Sequence, residues 1–284
     1  MPRTAETGTT MMETAFSSLD ASLRAVGRRV VSRHPRWESA LLRGRDGYAR
    51  ATVRLRWLVN RLRYAAPPAP YRLIEVDPEA IERVVALESP KFKDAGTVVG
   101  GEWDRTAERF EEMDVFRAYE RHFVEDVPWE ETAFYDRIVD EIERGFVRWG
   151  CQTRREFDER CEQLDSLYET IRTEGYRTQA ELCDSAASDP ISKTHGGKSR
   201  RDLKTERFKN EIAVNIGRDG ELFFADGRNR LSIAKLLNLD TVPVRVLRRH
   251  CGWQAVRDAY VRGSTIPAEF RDHPDLVGLG HSGQ

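Results

Sequence analysis

The stretch that most restricts this chain is FFADGRNRLSIAKLLNLDTVPVRVL, Phe223 to Leu247. Apolar strand residues run into Asp226-Gly227, a short amphipathic segment follows, and a β-branched run, TVPVRVL, closes the unit. A strand that turns straight into a helix leaves the first helical N–H groups without intrahelical acceptors. Those groups and the helix dipole favour an anion at the bend. Gly227 lets the backbone take dihedrals that other residues avoid and come close to a ligand. Arg228 and Arg230 add forked donors suited to phosphate oxygens. Lys235 lies too far along the helix to join them. On local chemistry, the helix N–H groups with Gly227, Arg228 and Arg230 form a phosphate or carboxylate cradle, with an ordinary arginine-bearing βα turn as the plainer alternative.

The residues before this unit extend it. EIAVNIGRDGELFFADG alternates at Ile212, Val214 and Ile216, turns at Asp219-Gly220 and returns through Leu222 to Phe224, which predicts a hairpin. TRREFDERCEQLDSLYETIRTEG predicts a helix opened by Thr153 and Glu156 as a capping box and stopped by Gly175, and Thr178 with Glu181 predicts a second capped helix. Trp253 to Val261 also reads as helical. Further back, YRLIEV reads as a strand, PEAIERVVAL as a helix opened by Asp77-Pro78, GTVVGGEWD as a loop or short strand, and Ala107–Phe123 and Trp129–Arg144 as acidic helices. Met1–Met12 reads as disordered, and the tail from Pro274, with its glycines, as loose.

The segment EIAVNIGRDGELFFADGRNRLSIAKLLNLDTVPVRVL resembles the core of the ParB/sulfiredoxin superfamily, in which a hairpin leads to a G-x-x-R box, a helix and a VPV strand. The box here is Gly227-Arg228-Asn229-Arg230. SLYETIRTEGY and YRLIEVDPEAIERV are similar to the family's earlier elements. The resemblance implies an α+β fold: a small mixed sheet with helices over 71–260, carrying an acidic helical insertion at about 107–150. Residues 1–66 would then be a basic helical appendage and residues 261–284 a tail. It also implies binding of a nucleoside triphosphate, with Mg²⁺, through Gly227 and Arg230. The chain departs from the family where Arg228 replaces the glutamate of the DNA clamps or the cysteine of the sulfinic acid reductases, and where Asn229 replaces histidine or arginine. A reductase is therefore disfavoured; Asp226, just before the box, is the acid that could hold a metal, and Asn229 can still donate a hydrogen bond to phosphate.

Kinase members of the superfamily imply a carboxylate base at the end of the first strand, here Glu75 or Asp77, with Asp104 a weaker choice; Asp77 equally suits an N-cap. His250 is a candidate for the pocket rim. The expected function is therefore a nucleotide- or phosphate-binding protein, extending to an ATP- or CTP-dependent phosphotransferase or NTPase acting on a small hydroxyl. A DNA-associated regulator of ParB type and a non-catalytic binding protein are the alternatives.

Charge bears on the partners. The net charge of −1 hides a segregation: residues 1–66 carry 13 arginines against 5 carboxylates, residues 67–190 carry 31 carboxylates against 16 basic residues, and residues 191–284 carry 17 basic residues against 11 carboxylates. An anionic partner would meet the ends and be repelled by the middle, which argues against DNA along the whole molecule. Two basic features stand out. Ser185 to Asn210, with Lys193 to Lys209, reads as a mobile basic loop, ordered by an anion or else a solvated connection, and RATVRLRWLVNRLRYAA is a basic amphipathic helix that suits an anionic membrane surface or nucleic acid, or else packs its apolar side inward. No apolar run reaches the roughly 18 residues of a membrane span. The start of the chain lacks a secretory signal pattern. Cys151, Cys161, Cys183 and Cys251 and the six histidines show no metal spacing, so reduced thiols in a cytoplasmic protein are expected.

Overall fold

The structure is a computed structural model that describes residues 38–85, 92–184 and 211–280. Its centre is a seven-stranded mixed sheet. In chain order the strands are β1 (Leu73–Val76), β2 (Arg83–Val85), β3 (Thr97–Val99), β4 (Ala107–Arg109), β5 (Ile212–Ile216), β6 (Leu222–Asp226) and β7 (Val242–His250). They lie in the order β1-β7-β5-β6-β2-β4, and β3 also pairs with β7. The predicted hairpin is present: β5 and β6 are antiparallel neighbours. β7 returns parallel to β5, as expected of a strand reached through a helical crossover. Being nine residues long, β7 carries β1 antiparallel along its first half and β3 parallel along its second.

Period-two alternation gives the sheet two apolar faces. On one, Ile212, Val214, Ile216, Val242, Val244 and Val246 pack with Leu231 and Ala234 of helix α6 (Arg228–Leu236) and with Trp253 of α7 (Cys251–Val261). On the other, Ala213 and Leu247 meet Val53 of the long helix α1 (Glu38–Arg63). A second cluster joins α2 (Asp114–Phe123), α3 (Ala133–Glu143) and α4 (Arg154–Glu174) around Tyr119, Ile138, Phe157 and Leu164, and reaches Ile233 of α6. Helix α6 is therefore held on one side by the sheet and on another by the helical cluster.

The capping signals are realised. Thr153 Oγ1 accepts from Glu156 N, and Gly175 ends α4 at φ 80°. Thr178 and Glu181 exchange side-chain bonds at the start of α5 (Gln179–Asp184). Four expectations are corrected. PEAIERVVAL is not a helix: Pro78–Ala80 is one 3-10 turn, and Arg83–Val85 is a strand because β6 and β4 offer both its edges hydrogen-bond partners. Ala107–Arg109 is strand β4, and α2 begins only at Asp114. The tail is pinned as far as Leu276, since Asp275 and Leu276 are fully buried. The helix RATVRLRWLVNRLRYAA does not turn its whole apolar side inward: Val53 is buried while Leu55, Leu58 and Leu62 are exposed. The expectations for residues 1–37 and for the basic loop of residues 185–210 lie outside the described residues.

Candidate anion site

The end of β6, the start of α6 and the starts of β5 and β7 meet at one end of the sheet, with Ile212 in register with Val244. Gly227 is the hinge. It caps α6 in the left-handed region, at φ 87° and ψ 32°, where a side chain is costly. A Cβ there would come within 2.9 Å of Ile212 Cα. The glycine is thus required by an internal backbone approach, in addition to its φ. Among the described residues no side chain caps α6, and its first turn holds no acid, so its N-terminal N–H groups keep their anion-favouring character.

The predicted box residues divide in three ways. Arg228 is exposed, with its guanidinium 5.8 Å from the Trp149 ring centroid. Asn229 is half-buried, and its Oδ1 has no hydrogen-bond partner among the described residues. Arg230 is buried: with the Gln179 amide turned oxygen-inward, that oxygen accepts from Arg230 Nη1 at 3.1 Å and from Nη2, and Tyr176's hydroxyl lies against it. Desolvation lowers the Arg230 pKa, partly offset by Tyr176. Asp226 accepts from Gly227 N through Oδ1 at 2.9 Å and from Arg245 Nη2 through Oδ2 at 3.1 Å.

Arg245 and Glu211 are the residues that reading the sequence missed. Arg245 is 4% exposed on β7. Its Nε donates to the Glu211 carbonyl at 3.3 Å, its Nη2 to Asp226, and its Nη1 has no partner among the described residues. Glu211 accepts from Gln179 N and from the Tyr176 hydroxyl, at 2.5 and 3.3 Å. Burial outweighs these bonds and the neighbouring Arg245, and pushes its carboxyl up to about 7. The available signal was an arginine inside VPVRVL, on the opposite side of the strand from Val242, Val244 and Val246.

The corner therefore gathers three guanidinium groups against Asp226 and a carboxyl that is partly neutral near pH 7, an excess of positive charge. It suits an anion. Among the described residues no group of three or more His, Cys, Asp or Glu is arranged to hold a metal ion, and Asp226 is the acid next to the box.

The other candidates lie apart from the corner or have structural work. Glu75 is exposed on β1, opposite Pro243 and at the same end of the sheet, with no hydrogen-bond partner among the described residues. Asp77 caps the Pro78–Ala80 turn by accepting from Glu79 N at 2.8 Å. Lys235 is buried and reaches Glu79 and Glu111 at 3.2 and 3.6 Å, away from the box. Asp104 is held by Arg218 N, Nε and Nη2, and His250 caps α7 and bonds the Gly101 carbonyl, both at the far end of β7. His250 is thus not at the rim. Cys151 and Cys161 are buried and Cys251 is exposed. Among the described residues no helix is long and apolar enough to cross a membrane.

No family model, curated protein or solved structure matches this chain.

Proposed function

We propose that this protein binds a phosphate-bearing small molecule, of which a nucleotide is the foremost candidate, at the corner formed by Gly227, Arg228 and Arg245. One observation carries the reading: the N-terminus of α6 has no capping side chain among the described residues and bears the exposed Arg228, and it directly follows Asp226, whose carboxylate holds the buried Arg245. Free helix N–H groups beside an exposed guanidinium favour an anion, and the buried Arg245 adds positive charge next to Asp226. Arg228 takes the role of direct contact, whereas Arg230, enclosed by Gln179 and Tyr176, positions the first turn of α6. Asn229 Oδ1 is an acceptor for a ligand hydroxyl. The resemblance of the hairpin, the G-x-x-R box and the VPV strand to the ParB/sulfiredoxin superfamily supports the same ligand class. Phosphoryl transfer is the extension of this reading, and Glu75, at the end of β1, is its candidate base.

The test is a thermal-shift series with inorganic phosphate and nucleoside triphosphates, with and without Mg²⁺, on the wild type and Arg228→Ala. A ligand at about 100 times its Kd stabilises by about 2.7 kcal/mol, a readily measured rise in Tm. The rise should appear without Mg²⁺ and shrink in Arg228→Ala. A nucleotide hydrolysis assay on the same samples, with Glu75→Gln, asks whether binding leads to turnover. If no phosphate compound raises the Tm, the reading fails.

A further inference from the structure

Helix α1 shows a second surface with its own chemistry. It is fastened to the protein along one side: Val53 is buried against Ala213 and Leu247, Asn60 Nδ2 donates to the Gly96 carbonyl at 2.8 Å, and Arg56 Nη1 donates to the Lys93 carbonyl. Those anchors fix the rotation of the helix. The opposite side carries Leu55, Leu58 and Leu62, spaced three and four residues apart and therefore in one row. They are 52, 57 and 92% exposed. A single exposed leucine needs no explanation, but three in a row on a helix whose rotation is fixed do.

The charge around that row selects its occupant. No carboxylate occurs from residue 47 to residue 74, while six arginines do. Arg54 and Arg61 are exposed on one flank of the leucine row. An arginine beside an apolar row can lay its stem along hydrocarbon and its guanidinium among phosphates. A second copy of the chain would bring the same arginines face to face. Nucleic acid would satisfy the arginines but press the leucines against charged phosphates. An anionic bilayer surface satisfies both groups at once.

We propose that α1 is a membrane-surface element that lies in the headgroup region of an anionic bilayer, with Leu55, Leu58 and Leu62 in the acyl boundary and Arg54 and Arg61 among lipid phosphates. This surface is separate from the corner at Gly227. The experiment is co-sedimentation of the full chain with vesicles of phosphatidylglycerol mixed into phosphatidylcholine, and of phosphatidylcholine alone. It uses the wild type, the double variant Leu58→Ser with Leu62→Ser, and the double variant Arg54→Gln with Arg61→Gln. All four positions are exposed, and circular dichroism checks that the variants remain folded. The wild type should bind the anionic vesicles and bind more weakly as salt is raised. The leucine variant should bind at least about tenfold more weakly, and the arginine variant should lose most of the salt dependence. Absence of binding to anionic vesicles overturns the proposal, as does equal binding by the leucine variant. It is also overturned by a dimer in solution that the leucine variant makes monomeric, or by duplex DNA capturing the wild type and the leucine variant equally while vesicles do not.

Discussion

Asp275 takes two hydrogen bonds from the Arg249 guanidinium, 2.8 Å from Nε and 2.6 Å from Nη2, with both side chains closed off from solvent. Arg257 Nε stands 3.1 Å from the same carboxylate, and Trp253 Nε1 donates to it at 3.0 Å. One acid near the C-terminus thereby compensates two buried cations and an indole. Burial alone would raise its pKa, but the Arg249 and Arg257 guanidiniums overcome this and hold it well below the usual carboxylate range.

Removing that charge leaves two buried arginines facing each other. Asp275→Asn should cost about 3–5 kcal/mol, the range for breaking a buried ion pair by deleting one partner. Wild-type stability from this group is present above the ordinary carboxylate pKa and is lost as acid titrates the folded form. Chemical denaturation of the variant at neutral pH checks the first statement. A loss under about 1 kcal/mol would mean that Arg249 and Arg257 find other compensation.

Gly227→Ala tests the hinge independently of any ligand. The added methyl meets a left-handed backbone, costing about 1–2 kcal/mol, and an approach of 2.9 Å to Ile212 Cα that only a backbone shift can relieve. The expected outcome is a clear fall in Tm whether or not phosphate is present. An unchanged Tm would show that the corner is softer than its geometry states.

The parts of the fold that could be read from the sequence are those specified locally. The β5–β6 hairpin is written in period-two alternation around Asp219-Gly220, and the starts of α4 and α5 in their Thr-x-x-Glu pairs. Arg83–Val85 sits in a segment whose sequence reads as helix, since three residues carry no period of their own; they become a strand through β4 and β6. The site divides in the same way. The Gly227–Arg230 box is one contiguous string and could be found. Arg245 and Glu211 join it only through the pairing of β7 with β5, and the Arg249–Asp275 pair exists only because the tail folds back. Tertiary neighbours of that kind leave no local signal beyond a charged residue inside an apolar run.

His122 gives a pH test in the helical cluster. Its ring stacks on Trp129 at 4.2 Å, Nδ1 faces the Val127 carbonyl at 2.7 Å, and Nε2 faces Asp165 at 3.1 Å. Two acceptors require two N–H donors, which the imidazolium supplies. Burial opposes the charged ring, but the Asp165 and Val127 bonds outweigh it and the pKa is raised above the ordinary 6.5. The contribution is therefore full below that ordinary value and declines as pH rises through the folded-state pKa. Ring-proton NMR of His122 should titrate above 6.5, and His122→Asn should flatten the stability profile in that window. Titration below 6.5 would reverse the assignment.

Glu211 should act in a lower window and with a different cause. Its ordinary carboxyl value of 4.5 rises to about 7 because burial outweighs its hydrogen bonds and Arg245. Between those two values the folded chain holds a proton that the unfolded chain has released, so stability falls as pH rises from about 4.5 to 7 and is level above that. The difference is at most on the order of 3 kcal/mol. Glu211→Gln keeps an acceptor for Gln179 N and Tyr176 but cannot ionise. Measured by denaturant unfolding from pH 5 to pH 8, the variant should lose the fall seen in the wild type across that window. It should also be at least as stable as the wild type at pH 8. Parallel profiles would mean that Glu211 ionises normally and that the corner carries less net positive charge than three guanidiniums beside a half-protonated acid provide.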